Sequence, residues 1–283
     1  MANLLLLKRR IKAAGNVSKT TKAMQMIAVS KLKKAQDATF AGRPYVEKLS
    51  SISQNVLGKL NNESLHVYMK KNDSKNNLVI ILAPDKGLCG GLITNLIRRI
   101  VSFNNENKNN LYLTVGKKVE STITNLGAEL IASFKFGSTL PSFNMVLPIA
   151  QIIDEYFLSR KVGTVKIIST NFTSIFSQKP VITDLLPIDL SQIESSSFSL
   201  FEPLADELLP PLLRHYLEMT IYQHLLESYA SEQGAKMVAM QNATDNALEI
   251  VQDLQLEYNK GRQEKITNEI LDIGSAAFTF AYE

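Results

Sequence analysis

From residue 4 to residue 35, apolar or small residues recur at intervals of three and four. They are Leu4, Leu7, Ile11, Ala14, Ser18 and Thr21, then, past an interruption at Gln25, Ala28, Leu32 and Ala35. That period predicts a helix over residues 1–60 with a narrow seam. Met24 falls beside the seam, and Gly42 and Pro44 are expected to bend or break the helix. A second helix is predicted from Pro210, a residue suited to a first turn, to Phe280. Its stripe runs Met237, Met240, Ala243, Ala247, Ile250, Leu254, Tyr258, and no proline follows Pro211. Seventy helical residues span roughly 105 Å, far more than the width of a compact domain with a radius of gyration of ~17–19 Å. Two such segments at opposite ends of one chain, rich in alanine, predict a coiled coil between them.

The middle of the chain has a different pattern. Leu78–Leu82, Leu111–Val115 and Thr164–Ile168 read as buried strands, with helical patterns near 88–103, 117–126 and 145–158. This alternation predicts a Rossmann-like α/β sheet over 78–200 with right-handed crossovers. Residues 180–190 are expected to add an edge strand, and the Ser-rich 193–200 a loop. The expected organisation is a helix over 1–60, an α/β domain over 78–200 and a helix over 207–283.

Composition changes this picture in one place. The 283 residues carry a formal charge of only +4, yet residues 1–36 hold nine Lys or Arg and no acid; the first acid is Asp37. A block of one sign repels itself unless an acidic partner lies near, and such blocks are often interaction segments. Cys89 is the only cysteine, so an intrachain disulfide is excluded. An apolar-then-basic start is the reverse of a secretory signal, and the expectation is a soluble, intracellular chain.

The search for chemistry yields little. Asp85, Lys86, Gly87, Leu88, Cys89, Gly90 and Gly91 follow the first strand, where phosphate loops sit, but match neither phosphate fingerprint. They read as a structural turn. Cys89 has no base positioned by spacing, and His215 and His224, nine residues apart, lack the i, i+4 spacing of a helical metal site. Both are expected on a helix surface. No catalytic, cofactor-binding or metal residue is assigned. Two polar clusters stand out, Lys19–Met26 and Asn259–Thr267. Arg262, Gln263 and Thr267 fall within about one and a half turns, so they can face one partner loop.

At these residues the sequence resembles the gamma subunit of the F-type ATP synthase. The N-terminal match runs from Arg10 through Asn16, then Lys19-Thr-Thr-Lys-Ala-Met24-Gln-Met and Ala28-Val-Ser-Lys31-Leu. The central match is Asp85-Lys-Gly-Leu-Cys-Gly-Gly91. The C-terminal match includes Ser231-Glu-Gln, Met237-Val-Ala-Met240, Asn242-Ala-Thr, Tyr258-Asn-Lys, Arg262-Gln and Ile266-Thr-Asn-Glu-Ile.

The resemblance implies a non-catalytic rotor. Its terminal helices would form an antiparallel coiled coil within a ring of three alpha and three beta subunits. The α/β domain would form a foot against the epsilon subunit and the membrane-embedded c-ring, with the delta subunit in the same complex. By the same resemblance Met24, Lys236, Arg262, Gln263 and Thr267 would meet the beta subunits. Lys236 stands where the family commonly has Arg, and Gly261 where a bulkier residue is usual. The implied place is the cytoplasmic face of a bacterial inner membrane, an organelle matrix being the lesser alternative; a start at Met1 without a presequence agrees with the bacterial setting. A basic helix docking on membranes or nucleic acid is the rival from another class. It predicts aromatics among residues 1–36, which contain none. A small nucleotide-dependent enzyme would need the missing phosphate fingerprint.

Overall fold

A computed structural model of the chain describes residues 2–58, 66–70, 72–107, 109–189, 202 and 204–280. The Ser-rich 193–200 lies outside them, and of residues 274–280 only the backbone is described. The elements are α1 (Ala2–Leu57), β1 (Asn77–Leu82), α2 (Leu92–Glu106), β2 (Asn110–Val115), α3 (Glu120–Asn125) and β3 (Glu129–Phe134). They continue with α4 (Val146–Leu158), β4 (Thr164–Ser174), β5 (Ser177–Leu186) and α5 (Ala205–Phe280). Two compact units result, one from residues 1–27 and 239–283, the other from 28–238; α1 and α5 supply residues to both.

In the first unit the two helices run antiparallel. Gly261 faces Leu4, Thr244 faces Thr21 and Gln241 faces Gln25, so partner numbers fall as residue numbers rise. Leu7, Ser18, Met240, Thr244 and Ala247 are buried in the seam. The seam on α5 runs 240, 244, 247, 251, 254, 258, 261, alternating steps of four and three. Ile250, assigned to the stripe from sequence, is instead 52% exposed, and the half-buried Val251 takes its place. Gln25 likewise does not interrupt the seam of α1. It occupies a seam position and donates to the Gln241 side chain, while Thr21 and Thr244 share a 2.7 Å bond between hydroxyls.

The second unit is a three-layer α/β structure. Its sheet has the order β3-β2-β1-β4-β5, with β1 to β4 parallel and β5 antiparallel to β4. The two-residue period of β1 divides the core. Leu78, Ile80 and Leu82 share one cluster with Ile149, Ile153 and Phe157 of α4 and Leu213, Leu217, Ile221 and Leu225 of α5. Val79 and Ile81 share the other with Leu96 and Ile100 of α2 and Ile123 of α3. Strand β3 escapes the sequence pattern because it is an edge strand on which no residue is fully buried.

Two punctuation signals act differently from expectation. α1 continues unbroken through Gly42 and Pro44. Pro44 forfeits one helical hydrogen bond, but Leu49, Ser53 and Val56 beyond it are buried and hold the helix in register. Gly42 opens room for α5: a Cβ there would lie 2.4 Å from Oε1 of Gln223. α5 starts five residues before Pro210, with Pro210 and Pro211 inside it. Burial of Leu209 and Leu213 against the sheet outweighs the N–H groups lost in its opening turns.

Candidate functional site

The sheet order places the reversal of strand sequence between β1 and β4, and open α/β sheets bind ligands beyond the carboxyl ends of strands at that point. The 85–91 loop sits there. The Asp85 carboxylate accepts the backbone N–H of Lys117 at 3.1 Å and of Gly137 at 2.8 Å, joining the connections that follow β1, β2 and β3. Gly116 has φ +108°, and a Cβ on it would lie 1.8 Å from the carbonyl oxygen of Ala83, so only glycine fits. Leu88 adopts φ 65° and Gly90 φ 56°, which turns the chain into α2.

The crevice is filled by the protein's own helix. Ala235 of α5 packs against Cys89 and Leu92. Beside it Glu232, Gln233 and Lys236 line a cavity of about 200 Å³ together with Lys31, Asp85, Lys86 and Ser138. That volume is below the roughly 300 Å³ at which small-molecule pockets begin. The Cys89 side chain is enclosed, and burial pushes its thiol pKa up, with the Glu232 charge adding to the effect. A thiol held protonated is a poor nucleophile. Burial also raises the pKa of Glu232, against the pull of Lys236, which donates to it at 2.5 Å, and of Lys31. Lys31 itself donates to the Ser138 carbonyl at 2.6 Å.

The histidines are not all surface residues as expected. His224 is half-buried, its Nδ1 is 3.0 Å from Oγ of Ser169, and burial lowers its pKa. His215 pairs with the Tyr45 hydroxyl at 2.9 Å. No group of three or more His, Cys, Asp or Glu able to hold a metal occurs among the described residues. No helix among them is long and apolar enough to cross a membrane.

The residues singled out for partner contact fall in both units. In the first, Met24 is 42% exposed beside the seam. Gln263 and Thr267 share a face one turn apart, and the Thr267 hydroxyl donates to the Gln263 carbonyl at 3.0 Å. Arg262 is exposed, about 100° around the helix from Gln263. No cation of residues 1–27 forms an ion pair among the described residues, although α5 carries Asp245, Glu249, Asp253 and Glu257 in the same unit. In the second unit Lys236 is paired with Glu232, its side chain 23% exposed.

Residues 3–279 match the family model described as ATP synthase, so fold and match together define the class as an ATP synthase subunit. The ATP synthase gamma chain of Dehalococcoides mccartyi strain 195 is 40% identical over 287 residues, 99% of this chain and 100% of that one. That of Methylacidiphilum infernorum is 36% identical over 98% and 99% of the two chains. This chain belongs to the ATP synthase gamma-chain family. Among solved structures, a chain of the mitochondrial ATP synthase of Euglena gracilis has the same fold, with a TM-score of 0.71 at 17% identity over 99% of this chain and 95% of that one. A chain of the central stalk and c-ring structure from Tetrahymena thermophila aligns with a TM-score of 0.60 at 24% identity, over 79% and 99%. The family displaces the membrane- or nucleic-acid-docking alternative.

Proposed function

We propose that this chain is the central-stalk rotor of an F-type ATP synthase. It makes no chemical bond itself; as a non-catalytic subunit it carries rotation of the c-ring to the catalytic beta subunits. One copy serves three alpha and three beta subunits, with the epsilon subunit and the c-ring at the foot and the delta subunit in the same complex. The observation that carries this is the seamed helix pair of the first unit. Its two helices bury one another along the seam, yet leave the cations of residues 1–27 without ion pairs among the described residues and Met26, Ile27, Ile266 and Ile270 about half exposed or more. Such a pair needs an outer covering that is apolar and acidic in turn.

Met24, Arg262, Gln263 and Thr267 are the proposed contacts to the beta subunits. Lys236 is proposed to join them through the remaining exposed part of its side chain, Glu232 fixing its direction. The 85–91 turn is proposed as a joint between the sheet and α5, with no ligand of its own. The complex is bound to a membrane and this chain is a peripheral part of it; the proposed side is the cytoplasmic face of a bacterial inner membrane.

Native mass spectrometry on the complex, purified from its own cells through a tag on this chain, tests the proposal. The expected assembly has one copy beside three alpha-like and three beta-like chains, with ATPase activity only in the assembly. A free monomer, or recovery with nucleic acid or lipid alone, would refute it.

A further inference from the structure

We propose that Tyr68, Asp154, Arg214 and Glu218 form a torsion tie that stops α5 sliding over the sheet layer, a role that rests on the rotor function above. The main contact of α5 in this unit is apolar, through Leu209, Leu213, Leu217 and Ile221. Such contact resists separation but is non-directional, so it opposes sliding weakly. A shaft that transmits torque needs the opposite quality at this surface, which directional bonds supply.

Arg214 lies on α5 between Leu213 and Leu217. Its Nε donates to Glu218 at 3.1 Å, and another guanidinium nitrogen donates to Asp154 of α4. The Tyr68 hydroxyl donates to the other oxygen of Asp154. The Tyr68 carbonyl in turn accepts the N–H of Ile188 at 2.8 Å. One bonded chain therefore joins the segment entering β1, the segment leaving β5, α4 and α5. Both carboxylates are nearly closed off, at 14% and 13% side-chain exposure, and the guanidinium is 42% exposed. Sealed carboxylates held by a planar fork tolerate little change of angle. Burial, with the Asp154 carboxylate, pushes the Tyr68 phenol far up, so it remains a donor. The direct polar contacts of α5 with β4 are between uncharged groups: Ser231 to the Thr170 carbonyl, the Thr170 N–H to Ser228, and His224 with Ser169. Glu227 reaches β4 only through Arg43 of α1, which donates to the Phe172 carbonyl at 3.3 Å.

The test uses the whole complex, held by its alpha and beta subunits and stalled with bound nucleotide, with a bead on the α/β domain of this chain. The angular variance of the bead reports torsional compliance. Arg214→Gln is expected to widen it about twofold, and Arg214→Lys, which keeps charge without the fork, to restore part of the loss. Tyr68→Phe keeps the shape and removes only one donor. It is expected to widen the variance by a smaller amount with the ATPase rate unchanged, and it remains informative if Arg214→Gln fails to fold. Unchanged variance in Tyr68→Phe, or in a folded Arg214→Gln, would overturn the tie and leave the network a stabilising contact only. Absence of rotation in the unaltered complex would instead refute the rotor function.

Discussion

At the scale of single residues, two positions decide more than their neighbours. Gly116 cannot accept a side chain, because both its φ and the Ala83 carbonyl forbid one. Gly116→Ala is expected to cost about 3 kcal/mol or more, read as a lower midpoint in urea unfolding of the isolated chain. Asp85 accepts two backbone donors with two oxygens. Asp85→Asn keeps one acceptor and turns the other into a donor, so about 1–2 kcal/mol should be lost in the same experiment. A different readout applies to Arg262 and Gln263, which are exposed and hold no core contact. Arg262→Ala with Gln263→Ala should leave the melting temperature of the chain within a degree or two while lowering ATP synthesis per proton in the complex. Equal coupling in the variant would remove both residues from the mechanism. Arg262 and Gln263 are legible only as candidates, from their sequence pattern and the family resemblance, whereas the tie is not legible. Arg214 and Glu218 stand at the readable spacing of i, i+4, but Tyr68 and Asp154 meet them only through the fold.

At the scale of elements, periodicity was the dependable signal and punctuation the weak one. The three-and-four spacing of α1 locates the seam, and the unbroken apolar run of β1 marks a strand buried on both faces. Pro44, Pro210 and Pro211 misled, because each removes only one N–H while the surrounding helix buries several leucines. Strand β3 lacks the burial that marks a strand in sequence, and Gln25 resembles an interruption because a polar seam residue looks like one. The Gln25–Gln241 and Thr21–Thr244 layers are polar steps in an otherwise apolar or small-residue seam, the device that fixes register in coiled coils at a cost in stability. Gln25→Leu with Gln241→Leu is therefore expected to raise the melting temperature of the helix pair. It should also broaden the distances measured between spin labels on the two helices, as alternative registers become populated.

At the scale of the whole molecule, charge and pH matter more than any one contact. The +4 total conceals a basic first helix and a mixed last one, and that asymmetry is what the family's ring would meet. One titration has a definite sign. His224 is held below its ordinary pKa of 6.5 by burial, only partly offset by the Glu227 charge. Its neutral form is favoured in the fold, so its contribution to stability is complete above about pH 6.5 and is lost as pH falls toward the lowered folded value. The groups facing it are Ser169 and Glu227, the latter tied to Arg43 at 3.0 Å. The raised pKa of Glu232 works in the other direction, favouring the fold as its carboxylate protonates. The comparison that isolates His224 is between the wild type and His224→Gln, melted at pH 7.5 and pH 5.5. The wild type is expected to lose more on acidification than the variant, and equal losses would show that the imidazole is not responsible.

The helix that closes the crevice at β1 and β4 can be viewed as a resident ligand. In nucleotide-binding proteins built on an open α/β sheet, the seat beyond the strand ends is occupied only when the solution supplies an occupant. Here the occupant is covalently attached, so its effective concentration is set by the chain and not by the cell. Seating and folding are then one equilibrium, with the stabilisation a cofactor gives its apoprotein made permanent. A solute would have to displace a helix of the same chain to take the place, and a sheet architecture suited to exchange becomes one suited to holding on.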